Sequence, residues 1–325
     1  MHSIIKILTL SLTILVIGCG TATNNKEATS SKETPSQQSV KKTQALILTQ
    51  PFDFDPSDKN KITGKYVAQE KLTIPNNLAT QSKWIMFEGP VLENDVIAYR
   101  YYADSRHRFD IYAKSVTDLV MDTVGWNYHI ITNWGSDVLK VGNSLGIGSP
   151  AVWYQDSLYT LSKSTKKELA VIENGDNQST IRTTFTDLEI AGQTMDVVQD
   201  WSIAAGQPYT TINLKITKGQ LPEGAYFATG IVKHIDTDQT GENGNTFYAY
   251  TWGKQSFHKD YMGMAIFADK DLHPEKITDD LTHTYIFKNA PRDEVEYAFL
   301  AAWEQGNSQV KSEEDFKKVI SNSVK

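Results

Sequence analysis

Residues 99–110 hold a dense group of cationic, phenolic and carboxylate side chains, in the order Tyr-Arg-Tyr-Tyr-Ala-Asp-Ser-Arg-His-Arg-Phe-Asp. If this segment begins as a strand, Arg100 and Tyr102 point to the same face, because side chains alternate along a strand. Arg106 then follows a turn that Asp104 and Ser105 indicate. Such a cluster can bind a carboxylate and donate a proton. The same residues also suit an exposed face with Asp–Arg pairs.

A second polar segment, residues 127–140, contains Tyr128 and His129 and, a few residues later, Trp134, Asp137 and Lys140. Histidine is the usual general acid or base near neutral pH, because its ordinary pKa lies near ~6.5. Trp134 is either a stacking platform for a sugar ring or part of the core. The crowding of polar groups around His129 favours a chemical role for its imidazole.

Residues 230–234 and 248–256 form a third candidate region. His234 follows an apolar stretch and Lys233, while Tyr248, Tyr250 and Trp252 alternate as on one face of a strand. Both segments can line a concave sheet, or they belong to a core with a solvated rim. The glycine-rich residues 142–148 lack the spacing of a phosphate-binding loop, which favours a tight loop between strands. The sequence has no serine-hydrolase elbow and no His-Glu-x-x-His metal motif.

Composition limits the partners and cofactors. The chain has 325 residues with 32 Lys+Arg against 39 Asp+Glu, a net charge of -7. This balance predicts no nucleic-acid partner, because phosphate binding needs a basic surplus. A single cysteine excludes an intramolecular disulfide and a thiolate-rich zinc site, and neither a metal nor an organic cofactor is predicted. Charges more than ~8 Å apart are screened, so the local Arg and His segments can still bind an anion.

The only cysteine, Cys19, ends an N-terminal signal sequence. Lys6 precedes the apolar residues 7–18, which are too few to span a bilayer. Val16-Ile17-Gly18-Cys19 resembles a bacterial lipobox, so we expect lipidation of Cys19. The predicted organisation is a lipoprotein signal peptide over residues 1–18, a lipidated flexible tether over 19–44 and a single domain over 45–325. The anchor would attach the protein to the bacterial cell envelope at the outer membrane, on a side that the sequence leaves open.

From Ala45 onward the sequence predicts mostly strands. Short runs of Val, Ile, Thr, Tyr and Phe alternate with a period of two and are separated by turn residues. Ser312 predicts the N-cap of a helix over residues 312–323, and a short helix or an extended segment is expected at 293–303. We therefore predict an all-β fold, namely a large antiparallel β-sandwich of the mutarotase-like supersandwich type, with a short C-terminal helix.

Two motif blocks give the chain a resemblance to a known family. The first block extends from Trp84 to Lys114 and the second from Tyr128 to Gly148, and shorter matches lie at 230–234 and 251–255. These blocks resemble a family of secreted bacterial and fungal proteins with an uncharacterised domain, encoded beside pectin- and ulvan-degrading enzymes in polysaccharide-utilisation loci. The resemblance covers about residues 84–305 and is specific over 84–148. Ala113 stands where the family has glycine.

The resemblance implies an enzyme that breaks down uronic-acid-containing oligosaccharides. An ulvan-pathway protein similar to this family is an oligosaccharide dehydratase, which removes water from a terminal uronic acid and leaves a 4,5-unsaturated residue. Such a β-elimination needs a cation for the carboxylate, a base for the C5 proton and an acid for the departing oxygen. The residues that we assign to these needs are Arg100 or Arg106 for the carboxylate, His129 or alternatively His234 as base, Tyr102 or Tyr128 as acid, Lys140 and Lys233 for positive potential, and Trp134 and Trp252 as sugar contacts.

Two other functions fit the same residues. A glycoside hydrolase of the same pathway needs two opposed carboxylates, and Glu88, Glu93, Asp104 and Asp110 are available in one segment. A non-catalytic glycan-binding lipoprotein would bind through a planar row of Trp and Tyr without turnover. The leading hypothesis is a carbon–oxygen lyase, either a dehydratase or a polysaccharide lyase, with an oligosaccharide as its substrate.

Overall fold

The computed structural model describes residues 40–50 and 64–323. The predicted signal peptide, Cys19 and most of the predicted tether lie outside the described residues. Thr43 and Gln44, which the sequence assigns to the tether, already belong to the first strand. No helix in the described part of the chain is long and apolar enough to cross a membrane.

The strands are numbered β1 to β21 in chain order. The first group is β1 (Thr43–Leu46), β2 (Leu48–Thr49), β3 (Val67–Ala68), β4 (Lys71–Ile74), β5 (Val91–Asn94), β6 (Ile97–Tyr101), β7 (Phe109–Lys114) and β8 (Gly135–Asp137). The second group is β9 (Ala151–Tyr154), β10 (Ser157–Thr160), β11 (Lys166–Asn174), β12 (Gln178–Ile190), β13 (Gln193–Ala204), β14 (Tyr209–Lys218) and β15 (Tyr226–Val232). The third group is β16 (Gln239–Asn243), β17 (Thr246–Gly253), β18 (Met262–Asp269), β19 (Pro274–Ile277), β20 (Thr282–Phe287) and β21 (Glu294–Trp303).

These strands form one large sheet and three smaller ones. The large sheet has nine strands in the order β16-β17-β18-β21-β14-β13-β12-β11-β4. The five-stranded sheet that carries Arg100, which we call the site sheet, has the order β1-β5-β6-β7-β8. A second five-stranded sheet has the order β10-β9-β15-β20-β19, and β2 pairs with β3. Neighbouring strands within each sheet run antiparallel, as in the register of β6 with β7, where Arg100 lies opposite Asp110.

The two five-stranded sheets pack on the same face of the large sheet. Tyr99 and Phe109 of the site sheet contact Phe299 and Trp201 of the large sheet, with ring centroids 5.0 Å apart in each pair. Phe287 of the second sheet lies 5.7 Å from Tyr297 by the same measure. Burial of these large aromatic side chains removes apolar surface from water and so stabilises the packing of the sheets. The predicted all-β antiparallel sandwich is therefore confirmed.

The C-terminal helix, α1 (Glu313–Ser323), covers the opposite face of the large sheet. Ser312 caps it by accepting a hydrogen bond from the Asp315 amide at 3.1 Å, as the sequence predicts. Phe316 and Ile320 are buried against Ala265, Leu300 and other apolar residues of that face. Residues 294–303, where the sequence left a helix or an extended segment open, form strand β21.

The glycine-rich residues 142–148 form a connection between the sheets, as the sequence predicts. Gly146 bridges to Phe109 and Ile147 bridges to Ile231. Gly148 has a φ of +65°, and a Cβ atom there would lie 2.0 Å from Cδ1 of the buried Phe299 ring. Glycine is required at this position both by its left-handed backbone and by the close approach of that ring.

We expect Gly148→Ala to lower the free energy of unfolding by about 3 kcal/mol, because overpacking against Phe299 adds to backbone strain. The matched control is Gly142→Ala. Gly142 has a φ of +58°, but nothing lies within 4 Å of the added Cβ. Strain alone should cost this control about 1 kcal/mol. Urea unfolding measures both variants, and equal losses would contradict the packing argument.

Candidate active site

The residues of the first motif block lie on one face of the site sheet. Alternation along β6 buries Tyr99 and Tyr101 in the main core and turns Arg100 to the opposite face, as the sequence predicts. Asp110 on β7 and Asp137 on β8 project to the same face, where both meet Arg100. Segments around residues 86–88 and 121–128 pack over this face through an aromatic cluster. The face is therefore buried, although it carries several charges.

Arg100 is the centre of this buried polar cluster, and its side chain is 1% exposed. Its Nη2 donates to Asp110, to Asp137 Oδ2 at 2.8 Å and to the hydroxyl of Tyr102 at 2.6 Å. Its Nη1 donates to the hydroxyl of Tyr128 and to the carbonyl of Phe87, each at 3.2 Å. A buried cation is tolerated only when it is paired and hydrogen-bonded in this way.

A second arginine, Arg106, extends the cluster toward the surface. It pairs with Glu88, and its Nε donates to Asp104 Oδ1 at 2.9 Å. Its guanidinium also lies 3.6 Å from the centroid of the Tyr102 ring, a cation–π geometry. Glu88 joins the two arginines, because its Oε1 is also 3.6 Å from Nη1 of Arg100.

His129 is the most exposed of the cluster's described side chains. Its side chain is 52% exposed, and its Nδ1 lies 3.4 Å from Oδ2 of Asp137. The ring of the buried Tyr128 packs edge-on against the imidazole, with centroids 4.5 Å apart. The imidazole Nε2 has no hydrogen-bond partner among residues 40–50 and 64–323. His129 therefore presents one free ring nitrogen above a buried and charged support.

The loop between β17 and β18 approaches His129 from a distant part of the chain. The amide of Phe257 donates to the carbonyl of Val138 at 2.7 Å, which fixes the loop beside the end of β8. Phe257 is 48% exposed, and its ring centroid lies 5.7 Å from that of the His129 imidazole. Next to it, Nε2 of His258 lies 2.9 Å from Oγ of Ser136. Phe257 and His258 were not predicted as site residues, because no polar cluster lies beside them in the sequence.

The environment shifts the pKa values of the cluster in ways that follow from burial and charge. Burial raises the pKa of Tyr102 and of Tyr128 well above the ordinary phenol value. Burial and the charge of Asp110 raise the pKa of Asp137, against the opposing effect of Arg100. Burial and the Arg100 charge lower the pKa of His129. The phenols therefore stay protonated, and the exposed imidazole is neutral at pH 7.

These positions change the roles that the sequence suggested for four residues. Arg100 and Arg106 bind carboxylates of the protein itself, so neither guanidinium is free to grip a substrate carboxylate as predicted. The hydroxyl of Tyr128 donates to Glu88 Oε1 at 3.0 Å and that of Tyr102 to Asp110 Oδ2 at 2.7 Å, so neither is available as the acid. The cluster lies beside His129, with Asp137 Oδ2 3.4 Å from its Nδ1.

The other predicted site residues lie elsewhere. The exposed His234 uses its Nε2 to contact the backbone carbonyl of Lys140 at 2.7 Å, and Lys233 is exposed beside it. Trp252 stacks on Phe316 of helix α1 at 5.7 Å, on the far side of the large sheet. Trp134 is partly buried against Tyr112. No contact with the Arg100 cluster is found for His234, Lys140, Lys233 or Trp252 in the described residues.

A cavity of about 810 Å³ lies on the outer face of the large sheet, away from this cluster. Its polar lining includes Asp269, Asp293, Glu294 and Glu296. Four carboxylates would repel an acidic sugar, so the cavity does not suit a uronate. Within residues 40–50 and 64–323, no group of three or more His, Cys, Asp or Glu side chains could hold a metal ion.

The fold and the site together define an antiparallel β-sandwich protein with a buried arginine–carboxylate cluster beneath an exposed histidine. The chain belongs to the DUF4861 family, a domain of unknown function, whose model matches residues 20–325. No curated protein is significantly similar to the sequence. Among solved structures, a proposed aldose 1-epimerase from Klebsiella pneumoniae subsp. pneumoniae MGH 78578 is 8% identical, with a TM-score of 0.37. That match covers 86% of this chain and 96% of the other, and we draw no conclusion about activity from it.

We expect Arg100→Met to lower the free energy of unfolding by about 3–5 kcal/mol, because it leaves buried carboxylates without their cation. Arg182→Met is the matched control, since Arg182 lies opposite Asp200 in a strand pair as Arg100 lies opposite Asp110. The Arg182 side chain is 42% exposed, so its loss should cost less than about 1 kcal/mol. Urea unfolding compares the two, and a small loss for Arg100→Met would show that the cluster is not a stabilising centre.

Proposed function

We propose that this protein is a carbohydrate-active enzyme that performs β-elimination across C4 and C5 of a uronic-acid residue, with His129 as the base. The observation that carries the proposal is the half-exposed imidazole of His129, whose Nδ1 lies 3.4 Å from the buried carboxyl of Asp137. The substrate class rests on the resemblance of residues 84–148 to proteins encoded beside pectin- and ulvan-degrading enzymes. We further propose that Cys19 anchors the enzyme in the cell envelope.

A general base needs a free nitrogen, a fixed ring and a neutral form at the working pH. Nδ1 faces Asp137 at 3.4 Å, so Nε2 is the ring nitrogen that is left to accept the C5 proton. The lowered pKa of His129 keeps this nitrogen unprotonated at pH 7. Asp137 is held in turn by Arg100, so the base rests on a rigid network.

The Phe257 ring supports the proposal that the substrate is a carbohydrate. An exposed aromatic ring 5.7 Å from the imidazole can stack on the C–H face of a sugar and hold it beside the base. Aromatic rings with a few well-placed polar groups are typical of small-ligand sites. Exposure of a large apolar side chain costs free energy, which a ligand would recover.

The hydrolase alternative is less well supported. The carboxylates that it needs, on Glu88, Glu93, Asp104 and Asp110, are all buried and at most 7% exposed. Glu88 and Asp110 contact Arg100, Asp104 contacts Arg106, and Glu93 lies 2.7 Å from Lys114 Nζ. An inverting or retaining hydrolase instead places its two carboxyl groups at an open cleft.

The direct test is to incubate the full-length protein with galacturonate- and glucuronate-terminated oligosaccharides from pectin and ulvan. The expected product absorbs in the ultraviolet, and mass spectrometry shows the loss of one water from a dehydrated oligosaccharide. His129→Ala should lower the rate about 10²–10⁴-fold, the usual contribution of a general base.

His234→Ala is the control, because His234 is an exposed histidine that makes no contact with the cluster among the described residues. Its rate should stay within about threefold of the wild type. Product formation by His129→Ala at the wild-type rate would remove His129 from the mechanism. Gain of one water in the product would identify hydrolysis instead.

The pH dependence should carry the signature of His129. Its pKa is lowered by burial and by the Arg100 charge, so the basic form persists below the ordinary value of ~6.5. We therefore expect kcat/KM to fall on acidification with a midpoint below pH ~6.5. Measurement of kcat/KM at a series of pH values from neutral to acidic gives this midpoint. A midpoint above pH ~6.5 would argue against His129, near Arg100, as the base.

A further inference from the structure

His258 and His129 are held by consecutive residues of one short strand. Asp137 of β8 lies 3.4 Å from Nδ1 of His129, and Ser136 lies 2.9 Å from Nε2 of His258. Consecutive side chains of a strand point to opposite faces, and β8 is the outermost strand of the site sheet. The Phe257 ring contacts both imidazoles, with centroids 5.7 Å from His129 and 5.3 Å from His258. The two histidines therefore flank one exposed aromatic ring.

The loop that carries His258 is firmly held. The hydroxyl of Ser256 accepts from the amides of His258 and Asp260 at 3.1 and 3.2 Å. Asp260 also accepts from the indole Nε1 of the buried Trp303 at 2.8 Å. Together with the bond from the Phe257 amide to Val138, these contacts fix the loop on two sides. These hydrogen bonds therefore hold His258 in place beside β8, the strand that also contacts His129.

The contact with Ser136 also settles which nitrogen of His258 is free. Oγ of Ser136 lies 3.0 Å from the carbonyl of Tyr128, an acceptor to which it can only donate. With its single proton used in this way, Oγ accepts from Nε2–H of His258. Nδ1 of His258 has no hydrogen-bond partner in the described part of the chain. In the imidazolium form, Nδ1–H is available as a donor.

We propose that His258 is the catalytic acid that partners His129. This inference rests on the proposed function. His129 Nε2 takes the C5 proton, the C5–H electron pair forms the C4–C5 double bond, and the C4–O bond breaks. The departing oxygen takes the proton from Nδ1 of His258 and leaves as water. His129 ends protonated and His258 neutral, and one proton exchanged with solvent restores both. The sequence assigned the acid role to Tyr102 or Tyr128. We assign it to His258, whose Nδ1 has no hydrogen-bond partner among the described residues.

The test compares two leaving groups on the same sugar. The rate of formation of the unsaturated product is measured first with a 4-hydroxy uronate oligosaccharide. On this substrate His258→Ala should lower kcat about 10²-fold or more. On the 4-deoxy-4-fluoro analogue the same variant should stay within about tenfold of the wild type. Fluoride departs without needing a proton, and both substrates give the same unsaturated product. His258→Gln, which keeps a polar side chain of similar size, should show the same contrast.

The controls separate this inference from the function on which it rests. Lys259→Ala changes the next residue of the same loop and should act normally on both substrates, whereas His129→Ala should fail on both. A loss of less than threefold for His258→Ala, or equal losses on the two substrates, would overturn the acid role alone. No product from the wild-type protein with any uronate would overturn the proposed elimination, and the acid role with it.

Discussion

The hydrogen-bonded guanidinium of Arg100 is the interaction on which the rest of the site depends. It joins β6 to β7 through Asp110, to β8 through Asp137, and to the covering segments through Tyr128 and the Phe87 carbonyl. A charge this deeply buried is stable only while all of these partners stay in place, which makes the arrangement intolerant of slippage in any one segment. The sheet face therefore acts as a rigid support, from which His129 extends into solvent.

Much of the fold could be predicted from the sequence, because the long strands β12, β13 and β14 of the large sheet alternate between buried and more exposed residues. The alternation of Tyr99 and Tyr101 with Arg100 correctly separated the core face of β6 from its polar face. The same rule was ambiguous at residues 293–303, and the structure shows why. Tyr297 and Phe299 of β21 face the main core, but Leu300 and Ala302 on the other side are buried beneath helix α1. A strand buried on both faces loses its period of two, so no local pattern could distinguish it from a helix.

The candidate site could be predicted only in part. The grouping of Arg100, Tyr102, Arg106, Tyr128 and His129 was visible because the first three are close in sequence and Tyr128 precedes His129. Their burial was not visible, since residue type and spacing do not reveal that Arg100 already pairs with Asp110 and Asp137. His258 was missed for another reason. Its partner Ser136 is 122 residues away, and the contact depends on how the β17–β18 loop docks against β8. An aromatic residue beside a histidine in a polar loop, as in Phe257-His258, was the only local signal.

The pKa shifts of Asp137 and His129 have a common origin, because burial and the charge of Arg100 act on both groups. Burial disfavours charge on both Asp137 and His129, while Arg100 favours an anionic Asp137 and opposes a cationic His129. Asp110 and Glu88 act in the opposite sense on the imidazole and partly offset the arginine. In this environment the imidazole of His129 is neutral at pH 7. With a second imidazole across the Phe257 ring, the site that we propose can take up a proton on one imidazole and release a proton from the other.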